Sequence, residues 1–548
     1  MPKQQVQQVR TVAETILEQL ALWGVERIYG VVGDAILGLM DALAKQDRIR
    51  FIAVRHESMA AMMASAEAKL TGRLGVCVAT MGPGMVNLLN GLADAHLDQA
   101  PVLAITGQAP LNKVGADDKQ VIDQQVMIQP LARFSTLLAS PDATVDLLAK
   151  ALHIAQTEGA VTHLSIPKDL FTQKQSEQAR PPVHMLYAKH HFQEEDLVPA
   201  IETLKFAQRP MIVAGVGARK AIDSIKTLAE VWGAGLVLSL GAKGSVDESF
   251  PLLAGGIGEG GNPDVSQLMN DADIILLVGD TWWPEGFVPK EARIVQVDTA
   301  PRNIGHKMTV EIGIVGDAGA VIPVFVDALR AHMCNQSWLR RVREVKEKWD
   351  KTIEEEGNRS GTPIPPQRVI RAIERTVRPD SILTVDTGDH TVWFSRIFRS
   401  KGQRLLFSGD WRTMGFALPA AIAAKLCCPE RQVLALVGDG GLAMSLMELS
   451  TAVRYLLPIT LVVMNNGTLQ MEKSKMIVQG YMQEGVNLNN PDFVALAQAC
   501  GWNAMKVGRD TELEGALEQA LMSERPTLLD VHVQDTIPPL TAKKPLQG

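Results

Sequence analysis

Apolar residues in this chain come in short, largely unbroken runs, most of them followed by a glycine-bearing turn and then by a stretch with helical spacing. Such runs mark strands buried on both faces of a parallel sheet; half-exposed strands would alternate apolar and polar positions. They stand at 27–32, 51–54, 75–79 and 101–105, then at 211–214, 235–238, 274–278 and 294–297, and finally at 381–385, 433–437, 459–464 and 528–533. Helical segments fill the gaps. Thr11-Val12-Ala13-Glu14 fits a capping box, with Ile16, Leu17 and Leu20 on one face and Gly24 as the stop. An alanine- and methionine-rich helix is expected from Met59, and another over 442–456, closed by Pro458. This alternation predicts an α/β protein whose functional residues gather at the carboxyl ends of parallel strands.

Breaks in the pattern divide the chain. A polar, proline-containing stretch over 171–196 and a charged, then proline-rich one over 346–366 read as linkers. They give domains at 1–180, 190–345 and 360–535 and a short tail at 536–548, in keeping with about 150 residues per domain. Each domain is expected to hold a central, mostly parallel sheet flanked by helices.

The densest chemistry lies in the last domain. Gly438-Asp439-Gly440-Gly441 follows one apolar run, and its glycines leave bare N–H groups that can approach a phosphate at the start of a helix. Asn465-Asn466-Gly467-Thr468 ends the next run. Neighbouring parallel strands would present Asp439 beside Asn466. A carboxylate, an amide oxygen and a backbone carbonyl form half of a Mg²⁺ shell that phosphates and water complete.

The order Gly-Asp-Gly then Asn-Asn, with 27 residues from Asp439 to Asn466, resembles the signature of thiamin-diphosphate enzymes. The resemblance implies that Asp439, Asn466 and the Thr468 carbonyl hold Mg²⁺ against the cofactor diphosphate. It extends over about 9–533. Val54-Arg55-His56-Glu57, Gly82-Pro83-Gly84 and Asn87 resemble the pyrimidine-binding domain, and imply that Glu57 bonds the aminopyrimidine ring. Gly33 and Asp34 belong to the same domain's cofactor side. Gly388, Asp389 and His390 are implied at the diphosphate, and Thr413 and Met414 in the segment whose apolar side chain wedges between the cofactor rings.

The nearest branch is the pyruvate oxidase group. Its FAD-binding middle domain is resembled by Gly215, Gly217 and Arg219 and by the positions of Asp298 and Asp317. One departure is the absence of an arginine over 280–287, where Trp282-Trp283-Pro284 stands instead. The acceptor-side trio of these oxidases, Phe-Gln-Glu, is replaced by Lys119-Gln120-Val121. Gln470, Met471 and Glu472 replace a glycine and an apolar pair beneath the reacting carbon. Both changes bear on which 2-oxoacid or acceptor is taken.

Composition narrows the field. Hydrophobic content of 46% and charged content of 21% are those of a globular protein, and a net charge of -7 without a basic block argues against nucleic acid or an anionic membrane as partner. The five cysteines form no CxxC pair, and the polar, Gln-rich start lacks the apolar core of a signal peptide. A cytoplasmic protein is expected. The resemblance further implies a homo-oligomer, as a dimer of dimers, and with the chain ending at Gly548 it implies that the lipid-binding tail of quinone-dependent oxidases is absent. Three readings follow: an FAD-containing pyruvate oxidase, a non-oxidative acetolactate synthase-like carboligase or 2-oxoacid decarboxylase, and a catalytically silent cofactor-binding regulator.

Overall fold

The computed structural model describes residues 9–183, 193–281, 289 and 291–539. Three six-stranded sheets dominate, and every pairing within them is parallel. The first runs Arg50–Ala53, Arg27–Gly30, Gly75–Ala79, Val102–Gln108, Val161–Pro167, Ala132–Leu137. The third runs Arg404–Phe407, Ile382–Val385, Val433–Gly438, Thr460–Asn465, Thr527–His532, Asn503–Val507. Numbered within its own sheet, each follows the order 2-1-3-4-6-5, so the first and third sheets are the same topology used twice. The middle sheet differs. Leu253–Gly256, Gly235–Leu238, Pro210–Ala214, Ile274–Val278, Arg293–Asp298 and Ile312–Val315 give 3-2-1-4-5-6, the order of a dinucleotide-binding sheet.

Strand limits differ from the sequence pattern in instructive ways. The first strand ends at Gly30 and not Val32, because Gly33 turns back toward Thr80. Thr106-Gly107-Gln108 belongs to the fourth strand, paired with Ser165-Ile166-Pro167. Helix α1 (Val12–Leu22) carries the expected capping box, Thr11 Oγ1 accepting from Glu14 N at 3.2 Å. Helix α2 (Glu57–Thr71) begins two residues earlier than Met59, with His56 as N-cap. Helix α3 (Pro83–Leu97) packs along it, and across the domain boundary α2 meets α4 (Ala417–Cys427) in one apolar core shared by the first and third sheets.

The expected 442–456 helix is not continuous. Helix α5 (Asp439–Ser445) starts at the glycine turn, a single 3₁₀ turn follows over Leu446–Glu448, and α6 is Leu449–Arg454. Glu448 explains the break. Its buried carboxylate accepts from Arg55 N at 2.9 Å and from Thr451 Oγ1 at 2.6 Å, so it serves the first domain and the new helix at once. Among the described residues no helix is long and apolar enough to cross a membrane, and the five cysteines are free.

Candidate active site

In an open parallel sheet the strand order reverses at one place, and the crevice there is where ligands bind. In the third sheet it lies between Ile382–Val385 and Val433–Gly438. A cavity of about 200 Å³ occupies it, lined among others by Gly388, His390, Met414, Asp439, Asn466 and Gln470. All its lining residues fall within 366–534.

The floor is shaped for close approach. A Cβ on Gly441 would lie 2.2 Å from Asp386 Oδ2, and one on Gly440 would lie 2.7 Å from the Leu469 side chain and 3.3 Å from Met414 Cε. Asp439 is 3% exposed. Its carboxylate accepts from Gly440 N (2.9 Å), Gly467 N (2.7 Å) and Asn490 Nδ2 (2.8 Å). Burial nevertheless raises its pKa, against those hydrogen bonds, so a cation beside it is favoured. The Gly467 bond draws the Asn466 loop onto Asp439, and Asn466 Nδ2 donates weakly to Gln470 Oε1 at 3.5 Å. Gln470 also accepts from Thr468 Oγ1 (2.9 Å) and donates to Ser474 (3.1 Å), so its amide ties the loop to the helix that follows.

His390 faces the cavity with its Nε2 buried and without a hydrogen-bond partner among the described residues. Desolvation pushes its imidazole down to about 4, leaving it neutral at pH 7. In the unfolded chain it takes a proton near pH 6.5. Stability from this group is therefore complete above about pH 6.5 and falls by about 3 kcal/mol as pH drops to 4. His390→Gln is expected to show a smaller drop in melting temperature than the parent between pH 7 and pH 5; an equal drop would count against a neutral His390. Asp389, beside it, is pushed up to about 7 by burial although Trp393 Nε1 donates to it at 2.8 Å.

The first-domain residues form a separate cluster. Glu57, 9% exposed, accepts from Asn87 Nδ2 at 3.0 Å, and a Cβ on Gly84 would lie 3.2 Å from its Oε1. Gly33 abuts Thr80, and Asp34 pairs with Lys168 at 2.7 Å. Gln120 takes a left-handed φ of 63° and sets its carbonyl against Gly82. Lys119 and Gln120 lie here, exposed, and not beside Gln470 and Met471. Glu472 pairs with Lys475 at 3.0 Å on an exposed helix face.

In the middle sheet the reversal lies between Pro210–Ala214 and Ile274–Val278. Gly215 and Gly217 sit there against the Gly279 turn, where a Cβ on either would lie within 2.9 Å of its backbone. Arg219 donates to Gly241 O, its Nε is buried without a partner, and it forms no ion pair among the described residues. Desolvation and the like charge of Arg404 push it down to about 10. Asp298 accepts from Ala300 N (2.9 Å) and Asn303 Nδ2 (3.0 Å), and Asp317 caps a helix by accepting from Gly319 N (2.8 Å). The Trp282-Trp283-Pro284 stretch lies outside the described residues.

Comparison with known proteins gives the same three-part division. Family models described as the N-terminal TPP binding domain, central domain and C-terminal TPP binding domain of thiamine pyrophosphate enzymes match residues 10–128, 197–325 and 386–531. A putative thiamine pyrophosphate-containing protein of Bacillus subtilis is 35% identical, over 97% of this chain and 93% of its own length. The chain belongs to the thiamine pyrophosphate enzyme family. Within that family it is similar to the acetolactate synthase large subunit of Parasynechococcus marenigrum (32% identity; 95% and 87% covered) and to the pyruvate oxidase of Lactiplantibacillus plantarum (31%; 96% and 89%). It is a thiamin-diphosphate-dependent enzyme of the pyruvate oxidase and acetolactate synthase branch. One of the site's partners, half-buried Asn490, carries no signal in the sequence; it is an ordinary polar residue brought in by tertiary packing.

Proposed function

We propose that the enzyme decarboxylates pyruvate or a similar 2-oxoacid oxidatively, with thiamin diphosphate and Mg²⁺ in the third-sheet cavity and FAD in the middle domain. The observation that carries the flavin is Arg219, a guanidinium that among the described residues has a buried, unpartnered Nε and no counter-charge, at the reversal point of a dinucleotide-type sheet. A half-buried cation of this kind is stabilised by an anionic group such as a flavin diphosphate. The third-sheet cavity fits its own cofactor by the same test. Its glycine floor admits a diphosphate, unpartnered His390 Nε2 faces it, and Asp439 with Asn466 and the Thr468 carbonyl suits one Mg²⁺. Among the described residues no cluster of three or more His, Cys, Asp or Glu could hold a metal by itself, in keeping with a cation that shares its charge with a phosphate ligand.

The chemistry supplied by the bound cofactors is an acidic thiazolium carbon that adds to the keto group and accepts the electrons left by CO₂, and a flavin that takes them two at a time. The chain's own residues position and protonate. Met414, with its Cε beside the Gly440 floor, would pack against the cofactor rings. Asp439, held by three donors, anchors the metal loop. Glu57, oriented by Asn87, is the carboxylate that would hold and release a proton at its Oε atoms facing the pyrimidine ring.

Because Glu57 stands outside the cavity of its own chain, the complete site draws Glu57 from a second copy. Exposed Val32 and Val86 on the first domain, and Met444 and Met447 on the third, supply apolar surface for that contact.

Anaerobic addition of pyruvate to the yellow holoenzyme is expected to bleach the flavin bands. A flavin that stays oxidised while acetolactate accumulates would replace the oxidase reading with the carboligase one. A colourless protein would withdraw the flavin.

A further inference from the structure

Met414 reaches the cavity on a loop, and that loop is tied down by carboxylates at both ends. Downstream, Asp386 of the same domain accepts from Gly415 N and Phe416 N, each at 2.9 Å. Upstream, the equivalent carboxylate comes from the first domain. Asp98, the C-cap of α3, accepts from Gly409 N and Asp410 N, again each at 2.9 Å. Between them Asn90, also on α3, accepts from Trp411 Nε1 at 2.8 Å and donates to Thr413 Oγ1 at 3.1 Å. The segment needs such support, since Arg412 holds a left-handed φ of 52° that a side chain disfavours.

The anchor is itself fixed. Lys69 of α2 lies 2.5 Å from Asp98 and 2.6 Å from Asp94, and donates to Phe407 O at 3.2 Å, at the end of the strand that leads into the loop. Gly409 is fitted to this carboxylate: a Cβ there would fall 2.4 Å from Asp98 Oδ1 and 2.9 Å from Asp98 Cγ and Oδ2. Its φ lies outside the left-handed region, so the backbone tolerates alanine and the carboxylate is what excludes it.

We propose that Asp98, with Asn90, is a positioning residue of the reaction: from the first domain it sets the path of the 409–413 segment and so the seat of Met414 in the cofactor cavity of its own chain. The proposal rests on the cofactor assignment above. The first domain then acts on two cavities. The amino end of α3 steadies Glu57 through Asn87, for the partner copy's cavity, while its carboxyl end shapes the cavity of its own chain.

The test uses the full-length enzyme titrated with thiamin diphosphate at saturating Mg²⁺ and followed by tryptophan fluorescence, alongside kcat and KM for pyruvate. Each hydrogen bond to a charged acceptor supports about 10-fold in an equilibrium, and two support about 100-fold. Asp98→Ala is expected to weaken cofactor binding by about 10- to 100-fold and to lower kcat more than it raises KM for pyruvate. Asp98→Asn, which keeps one acceptor, should fall between Asp98→Ala and the parent. Gly409→Ala removes no charge yet should reproduce the loss, and combining it with Asp98→Ala should recover binding relative to Gly409→Ala alone, because the clash is gone. Folded Asp98→Ala and Gly409→Ala proteins with parental cofactor affinity and kcat, and only a lowered melting temperature, would overturn the proposal and leave the cofactor assignment intact. A parent enzyme that binds no thiamin diphosphate would overturn both.

Discussion

Glu57→Gln is expected to lower 2-oxoacid turnover by about 10²- to 10⁴-fold, the usual range for losing a positioned acid–base group. The substitution keeps the shape and the Asn87 contact at 3.0 Å and removes only the exchangeable charge. Thiamin-diphosphate affinity should change far less than turnover, because Glu57 is assigned to the pyrimidine ring while the diphosphate and metal are assigned to the third-sheet cavity. Steady-state kinetics beside a binding titration separates the two quantities. Turnover within about twofold of the parent would remove Glu57 from the mechanism.

Asp439→Asn should act in the opposite way, through binding. Three donors converge on this carboxylate, and an asparagine would turn its own NH₂ toward one of them. Outer partners of metal ligands ordinarily carry about 10- to 100-fold in affinity, and the ligand itself is expected to exceed that upper figure. Mg²⁺-dependent retention of thiamin diphosphate after gel filtration is the readout. Asn490→Ala, which removes one donor and leaves the carboxylate, should fall within the 10- to 100-fold range. Equal retention in Asp439→Asn and the parent would place the metal elsewhere.

What could be read from the sequence was local. The Gly438–Gly441 turn, the Asn466 loop and the apolar strands before them are contiguous segments whose spacing reports the fold directly, and the structure sets them on adjacent strands, Gly438 opposite Met464. The α1 capping box was legible for the same reason. Long-range partners were not. Asn490 lies 51 residues from Asp439, and Asp98 lies 311 from Gly409, so nothing nearby in the chain announces either contact. The interrupted 442–456 helix failed for a related reason: its pattern is helical throughout, and the break is made by Glu448 reaching the Arg55 amide in another domain. Lys119 lies on the surface of the single chain, the usual place for a loop lysine, beside Asp118, whose Oδ1 accepts its backbone N–H at 2.7 Å.

Asp439 is the one charged group among the three residues proposed to hold the metal, and this has a consequence for how the enzyme is loaded. A dication beside Asp439 alone keeps surplus positive charge, and a diphosphate beside the neutral His390 ring keeps surplus negative charge. Each offsets part of the other's charge, so on the proposed assignment metal and vitamin enter and leave as a pair. A chelator would then strip the enzyme of thiamin as surely as of magnesium, and a cell short of the vitamin would hold a protein that has also lost its metal.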